Sequence, residues 1–248
     1  MSVLLERRDG VGIVTIDLPE RRNSLTIGMS AQLVEHVAAC EADDDVSAIV
    51  VTGTPPAFCA GADLTALGEA REDGLRAIYA GFLAVAKSSL PTIAAVNGAA
   101  VGAGLNLALA CDVRLVSPKA RFDARFLQLG LHPGGGMTWM VQRLVGPQTA
   151  AAMTLFGQIL DADAAVSKGL ALSKADDVVA AAVELAQPAV GAPRELVLAT
   201  KRTLRATAAY DRHDDAVETE LVAQLASMET PAFTELLAAM RARISRQA

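Results

Sequence analysis

Three segments of this chain lack the polar alternation of a half-exposed strand. Residues 47–53 (SAIVVTG), 91–98 (PTIAAVNG) and 113–117 (VRLVS) are short, largely apolar runs. Continuous apolar runs of this length belong to strands covered on both faces, as in parallel sheets, whereas one-sided strands alternate. Helical periods separate them. Leu75, Ile78, Phe82 and Val85 recur at spacings of 3, 4 and 3 in a helix expected from about Glu69, weakened by Gly74 and Gly81. Met29, Leu33, Val37 and Cys40 recur at 4, 4 and 3 behind Ser24 or Thr26, either of which can cap a helix. Strands alternating with helices specify an α/β architecture with parallel pairing.

Upstream, two strand-like runs flank Asp9-Gly10, a hairpin signal. Residues 54–64 (TPPAFCAGADL) read as a loop, and residues 120–136 (ARFDARFLQLGLHPGGG) as irregular and glycine-rich. From about Met137 the chain is expected to be almost wholly helical. This gives a core over residues 1–195 and a helical C-terminal region over 196–248.

Two loops rich in small residues, "FCAGADL" and "NGAAVGAGL", each follow a buried strand. They offer backbone N–H groups with little side-chain cover, and the second sits at a helix start, where unpaired N–H groups favour negative charge. Converging, they would form an oxyanion hole; either alone reads better as close packing, in which Gly and Ala let helix and strand touch. A dinucleotide fingerprint fits poorly, because counting from Gly102 the third glycine position is Leu107 and no acid follows at the required distance. No GxxxxGK[ST], GxSxG or HExxH motif occurs.

The formal net charge of −6 and pI near 5.1, with no strong basic cluster and 4% aromatics, argue against nucleic acid as partner. Three scattered cysteines, Cys40, Cys59 and Cys111, form neither a disulfide framework nor a metal pair. No signal peptide or bilayer-spanning run is indicated, so a cytoplasmic protein is expected, with neither membrane nor metal.

"FCAGADL", "IAAVNGAAVGAGLNLALACDVRL" and "LGLHPGGG" together resemble the enoyl-CoA hydratase/isomerase (crotonase) family, a likeness running from "RRNSLT" to the terminal helices. The resemblance implies a spiral of ββα turns with a helical C-terminal trimerisation region, and a homotrimer or dimer of trimers. It implies an acyl-CoA thioester as partner, with coenzyme A as part of the substrate and no other cofactor. By motif, the thioester carbonyl is held by the N–H groups of Ala62 and Ala103. Arg22, Ser24 and Leu25 and the loop with Ala60, Asp63 and Leu64 would line the CoA groove, Arg21 and Arg22 screening phosphates. Gly102, Asn106, Phe126 and Gly134 would border the acyl pocket.

The chain departs from the family where hydratases keep two glutamates. Those positions fall on Asn106 and on the pair Arg125-Phe126, and between Ala70 and Glu184 the only glutamate is Glu72. An amide takes up no proton near neutral pH, and a phenyl ring has no ionisable group. His132 and Asp123 are the remaining acid–base candidates; Asp123 could instead pair with Arg125, and His132 could bond backbone. His36 and His213 read as structural or exposed, Cys59 as a packed thiol, Asp112 as a helix-end acid and Asp63 as a loop-ordering group. Any CoA contact from the terminal helix falls to Arg241 or Arg243. Two readings follow: an enzyme that forms a thioester enolate without the usual glutamates, or a non-catalytic acyl-CoA-binding protein. A nucleotide-cofactor domain is a third.

Overall fold

The computed structural model describes residues 2–63 and 71–246. Contacts divide the chain into two compact units, residues 1–190 and 191–248, the break following Val190 at the Gly191-Ala-Pro193 interruption.

In the first unit the hairpin forms as its turn chemistry dictates. β1 (Ser2–Arg8) and β2 (Val11–Asp17) pair antiparallel through Asp9 and Gly10, both at positive φ. β2 then opens a parallel series with β3 (Ala48–Gly53), β5 (Thr92–Val96) and β7 (Val113–Val116). All residues of β3 and β5 are buried, which is why neither alternates. β10 (Ser173–Lys174) completes a six-stranded sheet in the order β1-β2-β3-β5-β7-β10.

A second, smaller sheet was not legible in the sequence. β4 (Ala57–Cys59), β6 (Ala99–Val101) and β8 (Arg121–Asp123) pair parallel, and β9 (Leu160–Asp161) closes the order β4-β6-β8-β9. The segment expected to be a loop after Pro55-Pro56 therefore contains β4, and the segment expected to be irregular contains β8. After the hairpin, three successive turns of the chain each place one strand in each sheet and then a helix. β3 and β4 precede α2 (Glu72–Lys87), β5 and β6 precede α3 (Ala103–Ala110), and β7 and β8 precede α4 (Met137–Leu155). These are the ββα turns that the sequence resemblance implied.

The helices follow their periodicity. α1 (Ile27–Glu41) is capped by Thr26, whose Oγ1 accepts from the Met29 N–H at 3.2 Å, and buries Met29, Leu33, Val37 and Cys40. α2 packs on α1: Gly81 lies against Ser30, where a Cβ would come 3.0 Å from the Ser30 Cα. α3 is nearly all buried, from Gly104 to Ala110. The buried Arg114 guanidinium closes its C-terminal end, donating to Cys111 O at 2.6 Å and, beyond the helix, to Leu170 O at 2.7 Å. α5 (Ala162–Ser167) and α6 (Val178–Val190) complete the unit. Val178, Ala182, Val183 and Ala186 of α6 cover Val11, Ile13, Ala48, Val50 and Ile93. The second unit consists of α7 (Arg194–Thr207), α8 (His213–Met228) and α9 (Pro231–Ser245).

Candidate active site

Because β4, β6 and β8 run parallel, the loops leaving them emerge at one edge of the small sheet. Those loops wall a cavity of about 950 Å³ in the first unit, closed on another side by α2 and by the 131–134 segment. Sites at the carboxyl ends of parallel strands are a general consequence of such topology.

The two small-residue loops meet there. Leu25 pairs with the first: its N–H donates to Gly61 O at 2.7 Å, and its carbonyl accepts from the Asp63 N–H at 2.8 Å. This ladder leaves the intervening Ala62 N–H outside it, and no acceptor takes that N–H among the described residues. Ala103 is the first residue of α3, where an N–H has no intrahelical acceptor, and it too has no partner among the described residues. Gly102 turns the chain into α3 at φ 52°, ψ −114°, a conformation open to glycine, and its N–H is anchored on Asp123 O at 3.0 Å.

Gly104 sets the spacing between the two donors. A Cβ built on it would lie 2.0 Å from the Cys59 carbonyl oxygen and 2.7 Å from its carbon. The start of α3 thus sits directly on the end of β4, three residues before Ala62. Cys59 is a packed thiol: burial raises its pKa to about 12. Asn23, wholly buried, braces the same loop; its Oδ1 accepts from Leu18 N–H, and its Nδ2 donates to Thr54 O and Ala57 O, both at 2.7 Å.

Asn106 lies in the first turn of α3 and lines the cavity, 2% exposed. Its Nδ2 donates to Gly134 O at 2.9 Å, which fixes the amide orientation, and its buried Oδ1 has no partner among the described residues. Asp123 lines the cavity at 3% exposure. Its Oδ2 accepts from both Nε and Nη2 of Arg125, and its buried Oδ1 has no partner among the described residues. The register pairs Asp123 with Val101, one residue from the Gly102 turn. Leaving a buried acceptor unsatisfied costs about 1–3 kcal/mol, so two in one cavity mark places where a ligand or water donates.

The other expected residues distribute as follows. Arg22, Ser24, Ala60, Asp63, Phe126 and Gly134 line the cavity, and the Ala60 N–H donates to Arg22 O. Leu25 does not: its side chain is fully buried, and only its backbone serves the site. Leu64 lies outside the described residues. His132 lines the cavity from an exposed position, with Nδ1 bonded to Pro133 O at 2.7 Å. Arg21 forms an ion pair with Asp63 at 2.6 Å. Arg22 and Arg121 also line the cavity and pair with no carboxylate among the described residues. Asp63 and Asp123 are the only carboxylates in the described wall, and no glutamate contributes to it.

Sequence reasoning missed Tyr79, Arg121 and Asn23. Tyr79 is one residue past Ile78 on α2, off the core face that periodicity detects, and its partner segment lies at Gly134. Asn23 carried only the signal of a polar residue in a turn.

A family model described as Enoyl-CoA hydratase/isomerase matches residues 6–239. "Probable enoyl-CoA hydratase EchA14" of Mycobacterium tuberculosis (strain ATCC 25618 / H37Rv) is 55% identical over 250 residues, covering 97% of this chain and 98% of its own length. The 1,2-epoxyphenylacetyl-CoA isomerase of Escherichia coli (strain K12) is 36% identical over 183 residues, covering 71% of this chain and 70% of its own. The crystal structure of an enoyl-CoA hydratase from Polaromonas sp. JS666 superposes with a TM-score of 0.91 at 25% identity, covering 98% of each chain. With the ββα spiral and the two converging loops, these likenesses establish that the chain belongs to the enoyl-CoA hydratase/isomerase family, the crotonase superfamily of acyl-CoA enzymes.

Proposed function

We propose that this protein catalyses proton transfer at the acyl carbon next to a CoA thioester, through an enolate, with Asp123 as its proton carrier. The carrying observation is the pair of unpartnered N–H groups, Ala62 and Ala103, held in register by the Gly104–Cys59 packing and the Leu25 ladder. Donors aimed at one carbonyl oxygen stabilise the charge that gathers there when the α-proton leaves. Each such donor is typically worth about 3–4 kcal/mol in the transition state. Backbone donors in a packed turn need no reorganisation as the charge develops. Ala103 supplies the same N–H that a glycine would, and adds a methyl group beside the thioester.

Asp123 Oδ1 is a buried carboxylate oxygen of the wall without a partner among the described residues, next to the Gly102 turn, while Oδ2 is tethered by Arg125. It accepts the α-proton and returns it to the enolate, at the same carbon or at the far end of a conjugated one. This needs one acid–base group, whereas the two-glutamate hydration mechanism needs two, and Asn106 and Phe126 stand at those positions. His132 sits at the exposed mouth with one ring nitrogen occupied by backbone, which supports it less as the proton carrier. Arg22 and Arg121, which pair with no carboxylate among the described residues, give the cavity positive charge suited to a phosphorylated carrier. The exposed Leu221, Val222, Leu225, Leu236 and Met240 of α8 and α9 support assembly as a homotrimer or dimer of trimers.

One observation favours a second reading, a non-catalytic acyl-CoA binder: both wall carboxylates are engaged by arginines. Calorimetric titration with acyl-CoAs, beside NMR detection of α-proton exchange from butyryl-CoA in D2O, separates the two. Binding with exchange supports the enolate enzyme. Binding without exchange or turnover across a panel supports the binder. No binding of any thioester overturns both.

A further inference from the structure

The Tyr79 hydroxyl is a polar group of the cavity wall that the enolate chemistry does not use. It projects from α2 onto the Gly134 backbone, where a Cβ on Gly134 would come 2.2 Å from the hydroxyl oxygen and 3.1 Å from the ring carbon that bears it. The ring is steadied by Phe82, centroid to centroid 5.4 Å. The hydroxyl makes no hydrogen bond among the described residues, although Tyr79 is half-buried and lines the cavity. Gly134 also receives Asn106: the amide Nδ2 donates to its carbonyl at 2.9 Å, and a Cβ on neighbouring Gly135 would lie 2.6 Å from that nitrogen. Tyr79 and Asn106 therefore flank one stretch of wall from two helices. Among the described residues Tyr79 brings a donor without an acceptor, and Asn106, 2% exposed, brings an acceptor, Oδ1, without a donor.

A group that satisfies both must accept one hydrogen bond and donate another. A hydroxyl does so; a methyl, a carbonyl and a carboxylate do not. Asn106 is three residues beyond Ala103 on the same helix, about 4.5 Å along its axis. That offset corresponds to the first carbons beyond a thioester carbonyl held at Ala103.

We propose that Tyr79 is a specificity-determining residue which, with Asn106 Oδ1, forms a subsite for a hydroxyl group on the acyl chain close to the thioester. The proposal rests on the carbonyl being held at Ala62 and Ala103. A thioester lacking the hydroxyl buries Asn106 Oδ1 unpaired; one carrying it in the right configuration satisfies both protein groups. A site built to bond a hydroxyl discriminates against the analogue that lacks it, because its own polar groups are then stranded.

The test is calorimetric titration of butyryl-CoA and of each enantiomer of 3-hydroxybutyryl-CoA, with thioester composition verified after each run. One enantiomer is expected to bind roughly tenfold or more tightly than butyryl-CoA, the yield of about one net hydrogen bond. In Tyr79→Phe, with butyryl-CoA as internal reference, that preference should fall severalfold, only the part carried by Asn106 Oδ1 remaining; circular dichroism and thermal unfolding verify the fold. Equal affinity of all three thioesters for the wild-type protein overturns the subsite while leaving the carbonyl site standing. A preference undiminished in Tyr79→Phe overturns the role of Tyr79. Failure of the wild type to bind butyryl-CoA or either hydroxy thioester overturns the proposed function and the subsite together.

Discussion

Replacing Gly104 by alanine should disconnect the two halves of the oxyanion hole. The new Cβ would meet the Cys59 carbonyl oxygen at 2.0 Å, the carbonyl carbon at 2.7 Å and the Cys59 Cβ at 2.8 Å. Real Cβ atoms essentially never come within 3.0 Å of such neighbours, so the contact must open by at least the difference between 2.0 and 3.0 Å. Both partners are backbone, at the start of α3 and the end of β4, and neither can rotate away. Overpacking of this kind costs about 1–3 kcal/mol of stability. The catalytic cost is larger in proportion, because the displacement acts on the distance between the Ala62 and Ala103 donors. A misplacement of about 1 Å costs on the order of a hundredfold in rate, and losing one donor outright about 10²–10³. The assay is the rate of α-proton exchange from butyryl-CoA beside thermal unfolding, with Gly28→Ala as control. Gly28 lies in α1 with only Thr26 Oγ1 near its would-be Cβ, at 3.9 Å. There alanine should be neutral or stabilising by up to about 1 kcal/mol. Gly104→Ala with wild-type exchange and wild-type thioester affinity would refute the reasoning.

Other perturbations address separate parts of the structure. Asp123→Asn should slow α-proton exchange by about 10²–10⁴-fold with thioester affinity largely retained, whereas His132→Ala should change it little; the reverse ranking, by the same NMR assay, would reassign the proton carrier. Arg114→Met should lower stability by about 3 kcal/mol or more in urea titration, since the Cys111 and Leu170 carbonyls lose their buried donor. The Cys59 thiol, pushed up to about 12 by burial, and Cys40, pushed up to about 11, should resist alkylation at pH 8 in the native protein. Their protonation also links stability to alkaline pH. Below the ordinary thiol value of 9.0 both states hold the protons and the contribution is intact; above it the unfolded chain releases protons that the folded one keeps. Stability should therefore fall between pH 9 and 12, less steeply in Cys59→Ala, as unfolding at a series of pH values will show.

What the sequence revealed depended on segment length. The Asp9-Gly10 hairpin, the Thr26-capped helix and the buried strands β3, β5 and β7 each occupy enough residues for a turn signal, a period or an apolar run to register. The second sheet did not register because β4, β6 and β8 are three residues long and β9 two, and alternation has no meaning over three positions. The donor loops were legible as small residues after buried strands, and their convergence was implied by family likeness. That Gly104 packs on Cys59, and that Leu25 serves through its backbone alone, are facts of tertiary distance. Tyr79 was hidden for the same reason: a helical period identifies the face of α2 that packs on α1, and says nothing of the residue beside it that reaches Gly134.

The carbonyl stretch of a bound thioester reports most directly on whether Ala62 and Ala103 hold its oxygen. Infrared difference spectra of butyryl-CoA labelled with 13C at the thioester carbonyl would isolate that band. With two N–H donors on the oxygen, the band should move to lower frequency on binding to the wild-type protein, and return toward its free position in Gly104→Ala. A band that binding leaves unshifted would contradict the oxyanion hole, and with it the enolate chemistry built on it.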